Sequence, residues 1–305
     1  MNKKAIEFAW IFSIIIGAIV LFLAFYFVGS QIFLKEKTEA TERAHSLDIL
    51  FNPFAYLGAM GAVTAKPIEL QKTASLEFDC FAEGLGSNVI MVDSGLPRSI
   101  YDKYIFAENF RAKKIQTISK AFSMPWRVAD LIFVFPSTRK YCFVRAPQKL
   151  KQELELLNIT NIKLENSIEN CEENATKVCF SRLESCEIKV NGLEADYSKG
   201  YVEKQNKKLY FAGDDYALML GAIFSSKELY DCNVKRIASR LEAQIEVYEE
   251  KRRMMAQRCT SMINLERLEQ KASRLFANVN EENMNALYDA AREIENLNSY
   301  DCPLF

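Results

Sequence analysis

From Phe8 to Leu34 the chain runs 27 residues without a charge, and few structures admit such a run. At about 1.5 Å per residue a helix of that length covers roughly 40 Å, enough for a hydrocarbon core of about 30 Å. A secretory signal has an apolar core of roughly 7–15 residues followed by a small-residue cleavage site. Here the run is longer and leads into KEKTEATERAH. The expectation is a retained, single-pass transmembrane anchor over residues 1–34. No second run is comparable, because FNPFAYLGAMGAV (Phe51 to Val63) is short and holds Pro53, and YALMLGAIF (Tyr216 to Phe224) suits a buried helix. Lys3 and Lys4 before the run nearly balance Lys35, Lys37 and Arg43 after it, so flanking charge does not orient the chain.

Cysteine usage does. All eight cysteines (Cys80, Cys142, Cys171, Cys179, Cys186, Cys232, Cys259 and Cys302) lie beyond the anchor, and their spacings give no C-x-x-C metal pattern. Disulfides in an oxidising exterior are the economical reading, with ordinary buried thiols as the alternative. This places the C-terminal bulk outside the cytoplasm, at the cell membrane. The triplets Asn158-Ile159-Thr160 and Asn174-Ala175-Thr176 fit an exterior as well. A net charge of −1, from 39 basic and 40 acidic residues, leaves no nucleic-acid footprint.

The expected fold class is α+β, with an N-terminal transmembrane helix, a mixed α/β extracytoplasmic domain and a long C-terminal antiparallel helical hairpin, a coiled coil. Residues 35–66 read as a juxtamembrane helix reaching at least Asn52, with Leu47, Leu50, Phe51 and Phe54 at helical spacing. Residues 67–215 read as the cysteine-containing domain. Its short runs rich in β-branched and aromatic residues, such as SNVIMVD, DLIFVFP, RKYCFVRA and KKLYFAG, are bounded by turn formers. FVFPSTRKYCFV and YVEKQNKKLYF look like hairpins, and PQKLKQELELLN like a helix opened by proline.

Residues 216–305 are assigned to the hairpin. No Gly or Pro occurs from Ser226 to Leu275, and Val234, Ala238, Leu241, Ile245, Tyr248, Met255, Cys259 and Met262 follow steps of four and three when Arg252 is taken as an interruption. That spacing predicts a coiled-coil seam on a helix of roughly 75 Å. ANVNEENMN turns the chain, and Met284, Leu287, Tyr288, Ala291, Ile294 and Leu297 stripe the return helix. A pivot near Val279 brings Cys259 and Cys302 together as a predicted disulfide. The other six cysteines cannot be paired from sequence.

Catalytic candidates are few. VIMVDSGLPRS centres on Asp93 with the hydrophobic-Asp-Ser-Gly pattern of retropepsin-like proteases, but no second such triplet completes a dyad. LYFAGDDYALML carries Asp214 and Asp215 in a Gly-Asp-Asp setting that equally starts a helix. His45 is the only histidine, on a charged helix. No enzyme, cofactor or metal site is expected.

AIEFAWIFSIIIGAIVLFL resembles the N-terminal segment of TadE-like and other pilin-like proteins, in which Ala/Val-Glu-Phe precedes a long apolar helix. The resemblance implies that Glu7 helps subunits register side by side. Ala9, Ser13 and Gly17 add a small-residue ridge at steps of four. Lys3 and Asn2 stand where prepilin processing requires a small residue, so the start is expected to stay uncleaved. With SMPWRVADLIFVF the chain also looks like single-pass archaeal membrane proteins. The expected function is a membrane-anchored structural or assembly protein acting through protein contacts. Its partners would be membrane lipid and other subunits, including copies of itself through the anchor or coiled coil, with no nucleic acid. An extracytoplasmic ligand-binding or sensing module is the alternative, and a membrane-anchored hydrolase the third reading.

Overall fold

The computed structural model describes residues 3–57, 64–93, 95–180, 186–255, 263–298 and 303–305. It opens with one helix, α1 (Lys3–Leu57), that continues through Pro53. No helix among the described residues is long and apolar enough to cross a membrane, which overturns the expected transmembrane helix. In the apolar half of α1 the described side chains are those of residues 14–29. The other half belongs to the folded core, where Ala40, Ala44, Leu47 and Phe51 are all buried.

The first sheet comprises β1 (Thr64–Phe81), β2 (Ser87–Val92), β3 (Arg98–Ile100), β4 (Tyr104–Ala107), β5 (Phe110–Ser123) and β6 (Arg127–Pro136), in the order β3-β2-β1-β5-β6-β4. Only the β4/β6 pair is parallel. Its two faces serve two cores. Ile132 and Val134 join Leu47 and Phe51 of α1, while Leu131, Phe133 and Phe135 turn to the helices that follow later in the chain. A strand buried on both sides reads as a continuous apolar run, which is why DLIFVFP does not alternate.

This sheet curls. Asn88 on β2 accepts the Ile105 N–H of β4 at 3.0 Å, although three strands separate β2 from β4 in the sheet order. Helix α1 lies across the gap, with Asp48 bonded to Arg98 of β3 at 3.5 Å and to the buried Lys103 just before β4 at 2.5 Å.

The second sheet contains β7 (Tyr141–Val144), β8 (Ile162–Glu165), β9 (Thr176–Cys179), β10 (Ile188–Gly192), β11 (Lys199–Lys204) and β12 (Lys207–Ala212), ordered β12-β11-β10-β9-β7-β8. β7 pairs in parallel with β8 and β9, and α2 (Gln148–Leu156) crosses between β7 and β8 with Leu150 and Leu154 buried. The expected hairpin at YVEKQNKKLYF is β11–β12, turning at Gln205 and Asn206, both with positive φ (51° and 60°). The expected hairpin at FVFPSTRKYCFV is not formed. Ser137 N–H bonds the Lys114 carbonyl and Tyr141 N–H bonds the Asn161 carbonyl, so at Pro136 the chain passes from the first sheet to the second.

One face of the second sheet meets the helices. The other carries Cys142, Val144, Ala175, Cys179 and Cys186, held by disulfides Cys142–Cys171 and Cys179–Cys186. The third disulfide, Cys80–Cys232, ties β1 to the second of the helices that follow the second sheet. These bonds pair the six cysteines that sequence left unassigned. Cys259 and Cys302 lie outside the described residues.

The long helical hairpin is replaced by four helices. All eight residues of α3 (Ala217–Phe224) are buried between the sheets. Gly221 packs so closely there that a Cβ would meet the Phe106 ring at 2.9 Å. Helix α4 (Lys227–Met255) is 29 residues long, about 43 Å rather than 75 Å. α5 (Glu266–Ala277) then runs back along it, with Ser273 donating to Glu242, and α6 (Glu281–Leu297) follows, bonded by Arg267–Glu293. Asn264 accepts the Glu266 N–H at 3.0 Å and helps start α5, a local signal beneath the heptad pattern. Val234, Leu241 and Ile245 pack into the same core as both sheets, with Tyr248 against its margin. Met255 is half-buried at the end of α4, and Met262 lies outside the described residues.

Candidate functional site

A cleft of about 900 Å³ opens where the two sheets meet the start of α4. Val89 and Met91 of β2, Phe78 of β1 and Leu209 of β12 give it apolar walls, while Glu77, Asp79 and Lys207 bring charge. Its position follows from the fold. Cys80–Cys232 fixes α4 against the end of β1, and the tight β11–β12 turn projects Gln205 toward the same opening. At the margin Lys207 and Glu228 pair at 2.6 Å, both exposed.

Deeper in, Lys204 is buried and donates to Glu108 at 3.0 Å and to the Ile223 carbonyl at 3.1 Å. Glu108 also holds Arg139 at 2.6 Å, beside Tyr141. Burial pushes Lys204 below the usual lysine range, Glu108 pulling the other way. Burial would raise Glu108, but Lys204 and Arg139 hold its carboxyl below the ordinary carboxylate value. Tyr141 is pushed up to about 12 by burial. These ion pairs join the first sheet, through Glu108 after β4, to Lys204 of the second and to Arg139 just before β7. The cleft floor is therefore rigid, polar at its base and apolar on its sides. Such a recess can hold a segment that alternates apolar and charged groups.

A second polar cluster sits behind the first sheet. Arg236 of α4 is wholly buried and hydrogen-bonds no carboxylate among the described residues. Instead it donates to Asn88 Oδ1 at 2.6 Å, to Lys103 O and Asn233 Oδ1 at 2.9 Å each, and to Leu85 O at 3.2 Å, with its guanidinium 4.6 Å from the Tyr104 ring centroid. Gly86 makes room for it. Its φ is +61°, and a Cβ there would lie 2.1 Å from the Phe81 carbonyl and 3.0 Å from Arg236. Arg236 thus closes the gap between β2 and β4 by accepting the cost of burial and repaying it with neutral acceptors.

The sequence candidates occupy structural positions. Asp93 accepts Ser75 N–H at 2.8 Å and pairs with Arg43 of α1 at 3.0 Å, so it ties α1 to the first sheet. Asp214 accepts the Tyr288 hydroxyl at 2.5 Å and Arg292 at 3.0 Å, holding α6. Asp215 accepts Ala217 N–H at 3.0 Å, capping α3, and Ser123 N–H at 3.1 Å. Desolvation raises the Asp215 carboxyl to about 6, with both N–H donors pulling against it. His45 is exposed on α1. Gly17 is exposed with open space around it, whereas the side chains of Glu7, Ala9 and Ser13 lie outside the described residues. Among the described residues no group of three or more His, Cys, Asp or Glu could hold a metal ion.

Lys204, Glu108, Asn88, Asn233 and Arg236 were not singled out from sequence. Only the KQNK turn, with Lys204 and Lys207 at its two ends, carries a local sign of the cleft. No family model matches the chain, and comparison with curated proteins and with solved structures finds no match.

Proposed function

We propose that the protein is a structural or assembly component acting by contact in an oxidising compartment outside the cytoplasm. The observation that carries this is the bare sleeve of α1. Ile14, Ile19, Phe22, Phe25 and Phe27 are between 53% and 75% exposed, with apolar neighbours on every side of the helix. A stable protein does not leave so large an apolar surface in water without something to cover it. The same helix of neighbouring subunits would supply an apolar surround. The three disulfides support the compartment. The engagement of Asp93, Asp214 and Asp215 in packing links supports a contact role over catalysis.

The test is a double substitution, Phe22→Lys with Phe25→Lys, in the full chain. Neither side chain belongs to the buried core, so the fold should survive with its disulfides. The variant should sediment as a smaller species and lose its crosslinks to other subunits. Sedimentation and crosslinking unchanged from the parent protein would sink the proposal. The cleft favours a second reading, a ligand-binding or sensing module. Its mark would be a bound segment or small molecule whose affinity survives the sleeve substitutions and falls with Met91→Lys.

A further inference from the structure

Two asparagines that the fold leaves idle share one end of the second sheet. Asn158 lies just beyond α2, which ends at Leu156, with φ of 47°. Asn174 lies in a turn where Ala175 N–H donates to the Glu172 carbonyl at 3.1 Å. Both are exposed, and neither side chain has a hydrogen-bond partner among the described residues. Each opens an Asn-x-Thr triplet whose middle residue is buried, Ile159 at 8% and Ala175 at 5%. A buried middle residue pins the turn to the protein while the asparagine beside it stays in solvent.

The triplets are neighbours in space through strand register. Ile162, which opens β8, and Thr176, which opens β9, both register with Tyr141 of the intervening β7, in parallel. Residues 158–160 and 174–176 therefore lie at the same end of the sheet. Charged groups surround them, with Glu172 paired to Lys140 and, at 2.5 Å, to Lys163. The cleft lies toward the other edge, at the β11–β12 turn.

We propose that Asn158 and Asn174 are paired acceptors for N-linked glycan, an inference that rests on the oxidising-compartment reading above. The donor is a lipid-linked oligosaccharide pyrophosphate. The asparagine Nδ2 forms a bond to the anomeric carbon, the anomeric C–O bond breaks, the lipid pyrophosphate leaves with the electron pair, and one amide proton passes to a base of the transferase. Nothing is oxidised or reduced. The threonine two residues on supplies the hydroxyl that such transferases read. Thr160 is exposed and Thr176 half-buried.

The experiment is peptide mass spectrometry on the full chain purified from its own cells, with disulfides mapped in the same digest. Both asparagine peptides should carry a glycan mass. Asn158→Gln, Asn174→Gln, Thr160→Ala and Thr176→Ala should each remove one increment and leave the other in place. Unmodified peptides beside an oxidised Cys142–Cys171 pair would overturn the glycan assignment and spare the compartment. Unmodified peptides beside free thiols would overturn both, and modification of one asparagine alone would overturn the assignment of the other.

Discussion

The first sheet lies between helices, with α1 against one face and α3 and α4 against the other, whereas the second has helices on one face and two disulfides on the other. The difference follows from the apolar surface available. β6 offers large side chains to both sides, Phe133 and Phe135 to one and Ile132 and Val134 to the other. The outer face of β7 and β9 offers Cys142, Val144 and Cys179, which bury little area. At about 25 cal/mol per Å² such a face stabilises weakly, and covalent links compensate by restricting the unfolded chain. The first sheet is held by packing and one link from β1 to α4, the second partly by two bonds on its own outer face.

The strongest challenge to this comparison is replacement of Cys142, Cys171, Cys179 and Cys186 by alanine, which removes the second sheet's two bonds and keeps Cys80–Cys232. Each bond contributes about 2–5 kcal/mol, so this variant should lose amide protection first in β7, β8 and β9 and last in β5 and β6. Simultaneous loss of protection in both sheets under hydrogen exchange would show a single cooperative unit. Arg236→Met comes next. It leaves the Lys103 and Leu85 carbonyls without this donor, while Asn88 Oδ1 keeps the Ile105 N–H, and urea unfolding should register a loss of about 1–3 kcal/mol. A change below about 1 kcal/mol would mean that the first sheet does not depend on that closure.

The contact between the sheets can be probed by pH. The native pKa of Asp215, about 6, lies above its ordinary 3.8, so the folded protein holds this proton more tightly than the unfolded chain. The associated stabilisation is complete below about pH 4 and is lost as pH rises through about 6. Relative to Asp215→Asn, the parent protein should therefore lose up to about 3 kcal/mol between pH 4 and pH 7. A constant difference between the two across that range would contradict it. The smallest effect belongs to the cleft margin. Lys207 and Glu228 are both exposed, so Lys207→Ala should change thermal stability by less than about 0.5 kcal/mol.

The strands of the second sheet were the most legible from sequence, because short β-branched runs punctuated by turns have few other uses. The β11–β12 hairpin was readable from Gln205-Asn206 for the same reason. β5 was not, since FRAKKIQTISKAFS mixes charge with apolar residues, and its identity depends on pairing with β1 and β6. The seam on α4 was recognised, but periodicity cannot say what a helix packs against. Leu241 and Ile245 are buried in a core that both sheets share with α5 and α6, not in a two-helix seam, so lysine at either position would disrupt the fold. The cleft and the Arg236 cluster were largely hidden. They join residues far apart in the chain, such as Glu108 with Lys204 and Asn88 with Arg236, and nothing local marks them.

Arg236 also imposes an order of events on the growing chain. Its partners Leu85, Asn88 and Lys103 are synthesised more than a hundred residues before it. At about 5–20 residues per second, at least several seconds separate them. Until α4 emerges, the gap between β2 and β4 has no guanidinium to satisfy its acceptors, and Cys80 has no Cys232 to meet. The earliest part of the domain must wait, incomplete, for one of the latest. A ribosome stalled anywhere before α4 would hold a first sheet with its curl unsecured and an unpaired thiol at its rim.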